Sequence, residues 1–309
     1  MRNLLSVTAD IGLASLGLAA LATFAGKALW IFDLASHFQL QYACAAAVLL
    51  VLNLILRRRK SAVACAALLG VTAYHLLPYY LPQEAVAEKE TSFKVMLLNL
   101  NRSNQKTVAV HEEITGNAPD ILVLQEVTPR WCAELDSLKA DFQHSFDLPD
   151  RGPFGMWVLS KFPLLDLEVL RLNEIAYLHV SYQVDQRTLK LTTLHPLPPV
   201  SASASMTRNR ILADAATYAA GEGTRIAIGD FNCSPWSPYF RSFIATSGLR
   251  DSGLGRGVHG TWLRGLFFGI PIDHILVSPD IEILDRQVGN DVGSDHRGVV
   301  LQFQFADTP

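Results

Sequence analysis

The chain has 309 residues, half of them hydrophobic, with 26 Lys and Arg against 29 Asp and Glu and a formal net charge of −3. Residues 1–87 hold six bases (Arg2, Lys27, Arg57, Arg58, Arg59, Lys60) and three acids (Asp10, Asp33, Glu84), leaving 20 bases and 26 acids in residues 88–309. So acidic a second part disfavours duplex DNA as a partner, because duplex affinity leans on phosphate neutralisation by Lys and Arg. Four cysteines, two of them in apolar runs, imply no disulfide framework; a Cys132–Cys233 bridge is the one pairing open to the polar part.

Three apolar runs, at about 8–29, 38–56 and 61–81, are each long enough to cross a bilayer core, which takes roughly 20 helical residues. The second ends at "RRRK", residues 57–60, and the third starts at once, so the hairpin between them is tight and strongly positive. By the positive-inside bias this turn and the amino terminus stay in the cytoplasm, and everything after Pro82 lies in the periplasm or outside the cell. The expected location is the inner (plasma) membrane, with several passes. A cleaved signal peptide is the competing reading of the first run, but Asp10 interrupts its apolar stretch. Asp10 itself reads as a residue near the membrane surface or paired between helices. The expected organisation is a membrane anchor over 1–82, a polar linker over 83–93 and one globular domain over 94–309, long enough for a sizeable core.

In that domain short apolar runs rich in β-formers alternate with turns. "KVMLLNL", "DILVLQEV", "GMWVLS", "YLHVSYQV", "LKLTTLH", "RIAIGDF", "IDHILVS" and "VVLQFQF" read as strands. Helices fit at about 105–117, 129–140, 207–221 and 236–247. The pattern predicts an α+β fold, two packed β-sheets flanked by helices, preceded by three transmembrane helices.

Polar residues fall at the ends of these strands. Asn99 and Asn101 follow the first, Gln125 and Glu126 the second, His195 the fifth, and Asp230 and Asn232 the sixth; Asp273 opens the next, and Asp295 with His296 precedes the last. A carboxylate at the end of an apolar strand is costly to bury unless something pairs with it. No matching set of Lys or Arg stands at these points, so the set suggests convergence on a hard cation at one rim, Mg²⁺ or Mn²⁺, which takes oxygen ligands. The histidines fit proton transfer and charge stabilisation better than ligation.

Taken in order, "LNLN" (98–101), "LQE" (124–126), "GDFN" (229–232), "PIDHILVS" (271–278) and "SDH" (294–296) resemble the endonuclease/exonuclease/phosphatase superfamily, whose fold is that of pancreatic deoxyribonuclease. The resemblance covers residues 94–305, and "HPLPP", "GDFNCSPWSP" and "GSDHR" are similar to its bacterial membrane-anchored members. It implies metal binding by Glu126 with help from Asn99 and Asp295. It also implies that Asp230 orients or deprotonates the attacking water, Asn232 positions the phosphate and His195 stabilises a non-bridging oxygen. His296 would then contact the scissile phosphate with its ring held by Asp273, and either Asp230 or His296 could be the base. Asn101 stands where some relatives have an acid, which weakens a claim for a second metal; Gly298 stands where related sequences often carry proline. Arg208 and Asn209, in "MTRNRIL", could reach substrate phosphate from a helix start, with capping or a solvated basic face as the competing readings. His274 reads as a strand neighbour of the site.

The family implies phosphoester cleavage and leaves the substrate open among lipid-linked phosphates, nucleotides and nucleic acids. In "TWLRGLFFGIPIDH" Trp262, Leu266, Phe267, Phe268 and Ile270 precede Asp273. An exposed tip there would rest at the bilayer interface; the competing reading packs it into the sandwich. Two functional classes therefore stand: a membrane-tethered, metal-dependent phosphoester hydrolase, and a catalytically silent module of the same fold that binds a phosphate-bearing ligand.

Overall fold

The computed structural model describes residues 2–84, 86–262 and 268–307. Four helices come first: α1 (Arg2–Ala22), α2 (Trp30–Ser36), α3 (Gln39–Ile55) and α4 (Arg59–Tyr80). The domain follows with β1 (Phe93–Asn99), α5 (Thr107–Asn117), β2 (Ile121–Gln125), α6 (Pro129–Glu134), β3 (His144–Leu148), β4 (Met156–Ser160), β5 (Leu164–Leu172), β6 (Ile175–Val184) and β7 (Arg187–Leu194). It ends with α7 (Ala202–Tyr218), β8 (Thr224–Asp230), α8 (Pro238–Ser247), β9 (Arg250–Asp251), β10 (Asp273–Val277), β11 (Ile281–Val288) and β12 (Val299–Phe305).

The strands form two six-stranded mixed sheets, in the orders β11-β12-β1-β2-β4-β3 and β5-β6-β7-β8-β10-β9. Alternation within each strand builds four layers. In β1, Val95 and Leu97 face the opposite sheet, where they meet Leu178, Leu191, Ile228 and Ile275, while Met96 and Leu98 face outward onto Val110 and Ile114 of α5 and Trp131 of α6. The second sheet turns Tyr177, Leu194 and Ala227 outward onto Ile211 and Leu212 of α7 and Phe240 and Phe243 of α8. Central strands buried on both faces read as unbroken apolar runs, which is why they were legible. The strands that sequence missed (β3, β5, β9 and β11) lie at or near sheet edges, where half-exposed polar residues dilute the pattern. All four cysteines are free; Cys132 and Cys233 lie on the outer faces of opposite sheets, so no bridge joins them.

Three spanning helices are expected from the sequence, and among the described residues the structure has two helices of that kind, or three if a bent pair counts as one span. Ser6–Ala25 and α4 are long and apolar enough to cross a membrane, and the third candidate is the pair α2 and α3, bent by 67°. α3 has 17 residues, a rise of about 26 Å, and the chain before it turns aside because α2 carries polar side chains bound by the domain. Asp33 pairs with Arg208 and accepts a bond from the Ser237 hydroxyl at 2.7 Å, and His37 Nδ1 lies 3.0 Å from Ser234 Oγ. At the opposite end of the helices Arg58 pairs with Asp10 at 2.5 Å and donates to the Ser6 carbonyl at 3.1 Å, so the positive turn and the start of α1 share one end. The polar segment before β1 is held against β12, where the Gln304 side chain accepts from Lys89 N–H at 2.9 Å and donates to the Ala87 carbonyl at 3.0 Å.

Candidate active site

The two sheets are stapled where their strand ends meet. Gln125, at the end of β2, donates to the Leu194 carbonyl at 2.9 Å and accepts from the Asp230 N–H at 2.9 Å, so one buried amide links the ends of β2, β7 and β8. Gly229 allows the close approach: a Cβ there would lie 2.0 Å from the Leu194 carbonyl oxygen and 2.9 Å from Gln125 Nε2. Asp273 of β10 sits opposite Asp230 of β8 in the antiparallel register.

Around this staple lie His195, Asp230, Asp273 and His296, all buried. His296 Nδ1 is 2.9 Å from Asp273 Oδ2, and its Nε2 is 3.7 Å from Asp230 Oδ2. His195 Nε2 approaches the same Asp230 oxygen to 3.4 Å, and its ring lies beside Phe154 with centroids 5.9 Å apart. Asp230 Oδ1 accepts from the Asn232 N–H at 2.8 Å, and the Asn232 side chain donates to the Pro196 carbonyl at 2.9 Å.

The electrostatics follow from this packing. Burial alone would lower the His296 pKa, but the adjoining Asp273, with Asp230 and Asp295 behind it, pushes it up to about 10. Burial alone would raise that of Asp230, but the two imidazoles hold it below the usual carboxylate range. Because His296 lies above its unfolded value of 6.5, its charged form contributes stability that is fully present below about pH 6.5 and lost as pH rises through about 10. In Asp273→Asn the His296 midpoint, followed by NMR of labelled histidine in metal-free protein, is expected to move down by more than one unit; a midpoint still near 10 would remove Asp273 as its partner.

The expected metal ligands form a second group at the same rim. Asn99 and Glu126 end the adjacent parallel strands β1 and β2, with Asn99 Nδ2 3.4 Å from Glu126 Oε1. The other Glu126 oxygen accepts from the Arg102 N–H at 3.0 Å. Asn101 ties this pair to Asp295: its N–H donates to Asn99 Oδ1 at 3.1 Å and its side chain to Asp295 Oδ1 at 2.7 Å. Asp295 Oδ2 accepts from the Trp262 indole at 3.0 Å. This set offers only oxygen donors, which suits a hard cation such as Mg²⁺ or Mn²⁺. Asp230, Asp273 and His296 also bring one ligand atom each within 4.8 Å of one another, but His296 Nδ1 is bound to Asp273 there, and a nitrogen in the set suits Mg²⁺ less well.

Asn101, Glu126 and Asn232 have positive φ, at 53°, 58° and 48°. Non-glycine residues in that region cost about 1–3 kcal/mol each and persist where their surroundings over-determine them. Three such turns at one rim aim short polar side chains that relaxed turns would splay.

Arg208 is turned inward, away from a substrate-facing position at a helix start, and half-buried Asn209 accepts from its guanidinium. Ser201 caps α7, accepting from Ala204 N–H, so the helix starts earlier than expected and Arg208 lies well inside it. Arg208 is fully buried, paired with Asp33 and with the Asn209 side-chain oxygen, and donates to the Asn232 carbonyl from behind at 3.1 Å. His274 is structural: its Nε2 lies 2.8 Å from the Cys233 carbonyl oxygen and its ring packs on Phe240. In the loop before Asp273, Phe268 is exposed and Ile270 is buried, while Leu266 and Phe267 lie outside the described residues.

In the sequence Gln125 and Asn101 stand among the polar strand ends and Trp262 in the apolar loop; the structure makes Gln125 the staple between the sheets and Asn101 and Trp262 the partners of Asp295. Trp262 reaches Asp295 only through the fold.

Two six-stranded sheets with outer helices and a polar rim at their strand ends form the deoxyribonuclease-like α+β fold. The sequence pattern of the Endonuclease/Exonuclease/phosphatase family matches residues 96–296, and the chain belongs to that family. Among solved structures it is similar to an endonuclease/exonuclease/phosphatase from Beutenbergia cavernae (TM-score 0.56, 18% identity, covering 71% of this chain and 72% of that one). It is also similar to D. rerio TDP2 complexed with a single-strand DNA product (0.56, 17%, 70% and 100%) and to the human Nocturnin catalytic domain with bound sulfate (0.52, 19%, 72% and 96%). No curated protein matches the sequence.

Proposed function

We propose that the protein is a membrane-tethered, divalent-metal-dependent phosphoester hydrolase whose catalytic domain lies outside the cytoplasm and acts on a lipid headgroup or lipid-linked phosphoester. The observation that carries the hydrolase reading is Asp230 set between two imidazoles, His195 at 3.4 Å and His296 at 3.7 Å, beside the all-oxygen group of Asn99, Glu126 and Asp295.

In this reading Glu126, with Asn99 and Asp295, would hold Mg²⁺ or Mn²⁺, which supplies charge neutralisation to the phosphate oxygens. Asp230 orients the attacking water and takes its proton. Asn232 positions the phosphate through its amide. His195 and His296 donate to phosphate oxygens as negative charge develops, with Asp273 holding the His296 ring in one orientation.

The lipid reading is supported by the meeting of the amino-terminal helices with the rim itself. The Gln41 side chain of α3 donates to the Gly269 carbonyl at 2.8 Å, in the loop carrying Trp262 and exposed Phe268, and His37 contacts Ser234, two residues beyond Asn232. A substrate whose tail stays in the bilayer would present its headgroup near these contacts. Orientation is supported by the positive turn at Arg57–Lys60 lying at the helix end away from the domain. A reporter fused after Pro309 that matures only outside the cytoplasm is expected to be active; activity confined to a cytoplasmic reporter would reverse the topology.

The test uses the full-length protein in detergent with Mg²⁺, with Mn²⁺ and with chelator. Its substrates are bis(p-nitrophenyl) phosphate, phosphatidylglycerol in mixed micelles and a single-stranded DNA oligonucleotide. Metal-dependent headgroup release, lost on chelation, is the expected result. Cleavage of DNA alone would keep the hydrolase and overturn the lipid substrate. Binding of inorganic phosphate with no turnover of any substrate would favour the silent binding module.

A further inference from the structure

The Asn232 turn faces substrate on one side and the amino-terminal helices on the other. Its φ of 48° needs outside support. Three of its bonds come from within the sandwich, two to Asp230 and one to Pro196. The fourth comes from behind, where Arg208 Nη1 donates to the Asn232 carbonyl at 3.1 Å.

Arg208 is fully buried, and a guanidinium there needs an anion. Asn209 supplies only a neutral oxygen. The anion comes from Asp33 of α2, 175 residues away in sequence, itself buried with Ser237 on its second oxygen. Two further contacts fasten the same helix and its approach: His37 with Ser234, and the α1–α2 turn, where a Cβ at Gly26 would sit 3.1 Å from the Pro238 ring.

We propose that Asp33 is a positioning residue for the catalytic turn: through Arg208 it fixes the Asn232 backbone, so that a helix of the amino-terminal segment completes the phosphate site. The carboxylate does not touch substrate. It holds Arg208 where its guanidinium reaches the Asn232 carbonyl, and Arg208 holds the turn whose amide would meet the phosphate. The site is thereby coupled to the seating of α2, and through the bend after α2 to the packing of α3. Without α2 the folded domain would retain every catalytic side chain and lose the brace behind Asn232.

The coupling to catalysis rests on the reading of Asn232 as the phosphate amide, so its test has a readout that needs no turnover. Full-length protein in detergent is compared with Asp33→Asn and with the paired replacement Asp33→Leu/Arg208→Met, which leaves no buried charge unpaired. Hydrogen exchange is followed across residues 230–236, with β1 and β2 as the measure of an intact fold, alongside kcat and KM for bis(p-nitrophenyl) phosphate. Ser237→Ala, which removes the other bond to Asp33 but leaves Arg208 in place, is the comparison variant.

In both the Asp33→Asn and the paired variants we expect exchange in the Asn232 turn to rise about tenfold and kcat to fall about 10- to 100-fold, with KM within about twofold, a cost typical of a misplaced catalytic group. Ser237→Ala should keep the parent kcat. Unchanged exchange at the turn, or raised exchange with the parent's kcat, overturns the proposal. A parent protein that turns nothing over refutes the hydrolase reading instead; titration with inorganic phosphate then replaces the kinetics. Affinity about tenfold weaker in Asp33→Asn would support the coupling, and equal affinity would overturn it.

Discussion

Replacing His296 with alanine in the full-length protein is expected to lower kcat for bis(p-nitrophenyl) phosphate by about 10³-fold, within the range removed by losing one positioned proton-transfer group. The ring is fixed at one nitrogen by Asp273 at 2.9 Å, and its other nitrogen lies 3.7 Å from Asp230 at the same rim. Three carboxylates keep the imidazole protonated through neutral pH, so it acts as a donor to developing charge, and KM should change much less than kcat. Thermal unfolding separates this from a folding defect, because the variant also leaves Asp273 buried without its partner. A folded variant with kcat within tenfold of the parent would remove His296 from the phosphate.

Asp230→Asn is expected to cost about as much, roughly 10³-fold in kcat, for a different reason. The replacement is close to isosteric and its amide oxygen can still accept the Asn232 N–H bond, so the turn is kept and the anion is lost. With the anion goes the group proposed to take the proton of water, and His296 loses one of its counter-charges. The acid limb of the pH–rate profile should vanish with it. Asp230 is held below the usual carboxylate range by the two imidazoles, so that limb should lie on the acid side of the ordinary carboxylate value of 3.8. A surviving acid limb in Asp230→Asn would assign the base to another residue. Side by side the two variants separate the roles: His296→Ala should retain the acid limb at reduced amplitude.

The pairs that make the site span the whole chain. Asp230 and Gln125 are 105 residues apart, and Asn101 and Asp295 are 194 apart, yet each is one hydrogen bond long. Such pairs depend on which strands are neighbours, and strand order is a property of the fold rather than of any local pattern.

By itself the sequence determined the layer architecture, since doubly buried strands such as β1, β2 and β8 carry apolar runs (95–98, 121–124 and 226–228) that give way abruptly to polar residues at the strand ends. It determined the family as well, and the polar strand ends now grouped at one rim: His195, Asp230, Asp273 and His296 on one side, and Asn99, Glu126 and Asp295 on the other. Local pattern reaches this far because period-two burial and strand termination are written in consecutive residues. Tertiary structure decided the rest. Arg208 looked like a surface cation at a helix start, and burial beside Asp33 made it a brace behind Asn232. Asp33 lies between two apolar runs, where nothing local gives it a role, and α2 carries it into the domain. Trp262 and Asn101 gained their roles only when Asp295 came within hydrogen-bond reach. A buried ionic or amide group is meaningful only with its partner, and the partner's distance along the chain is set by how the layers pack, which no window of sequence contains.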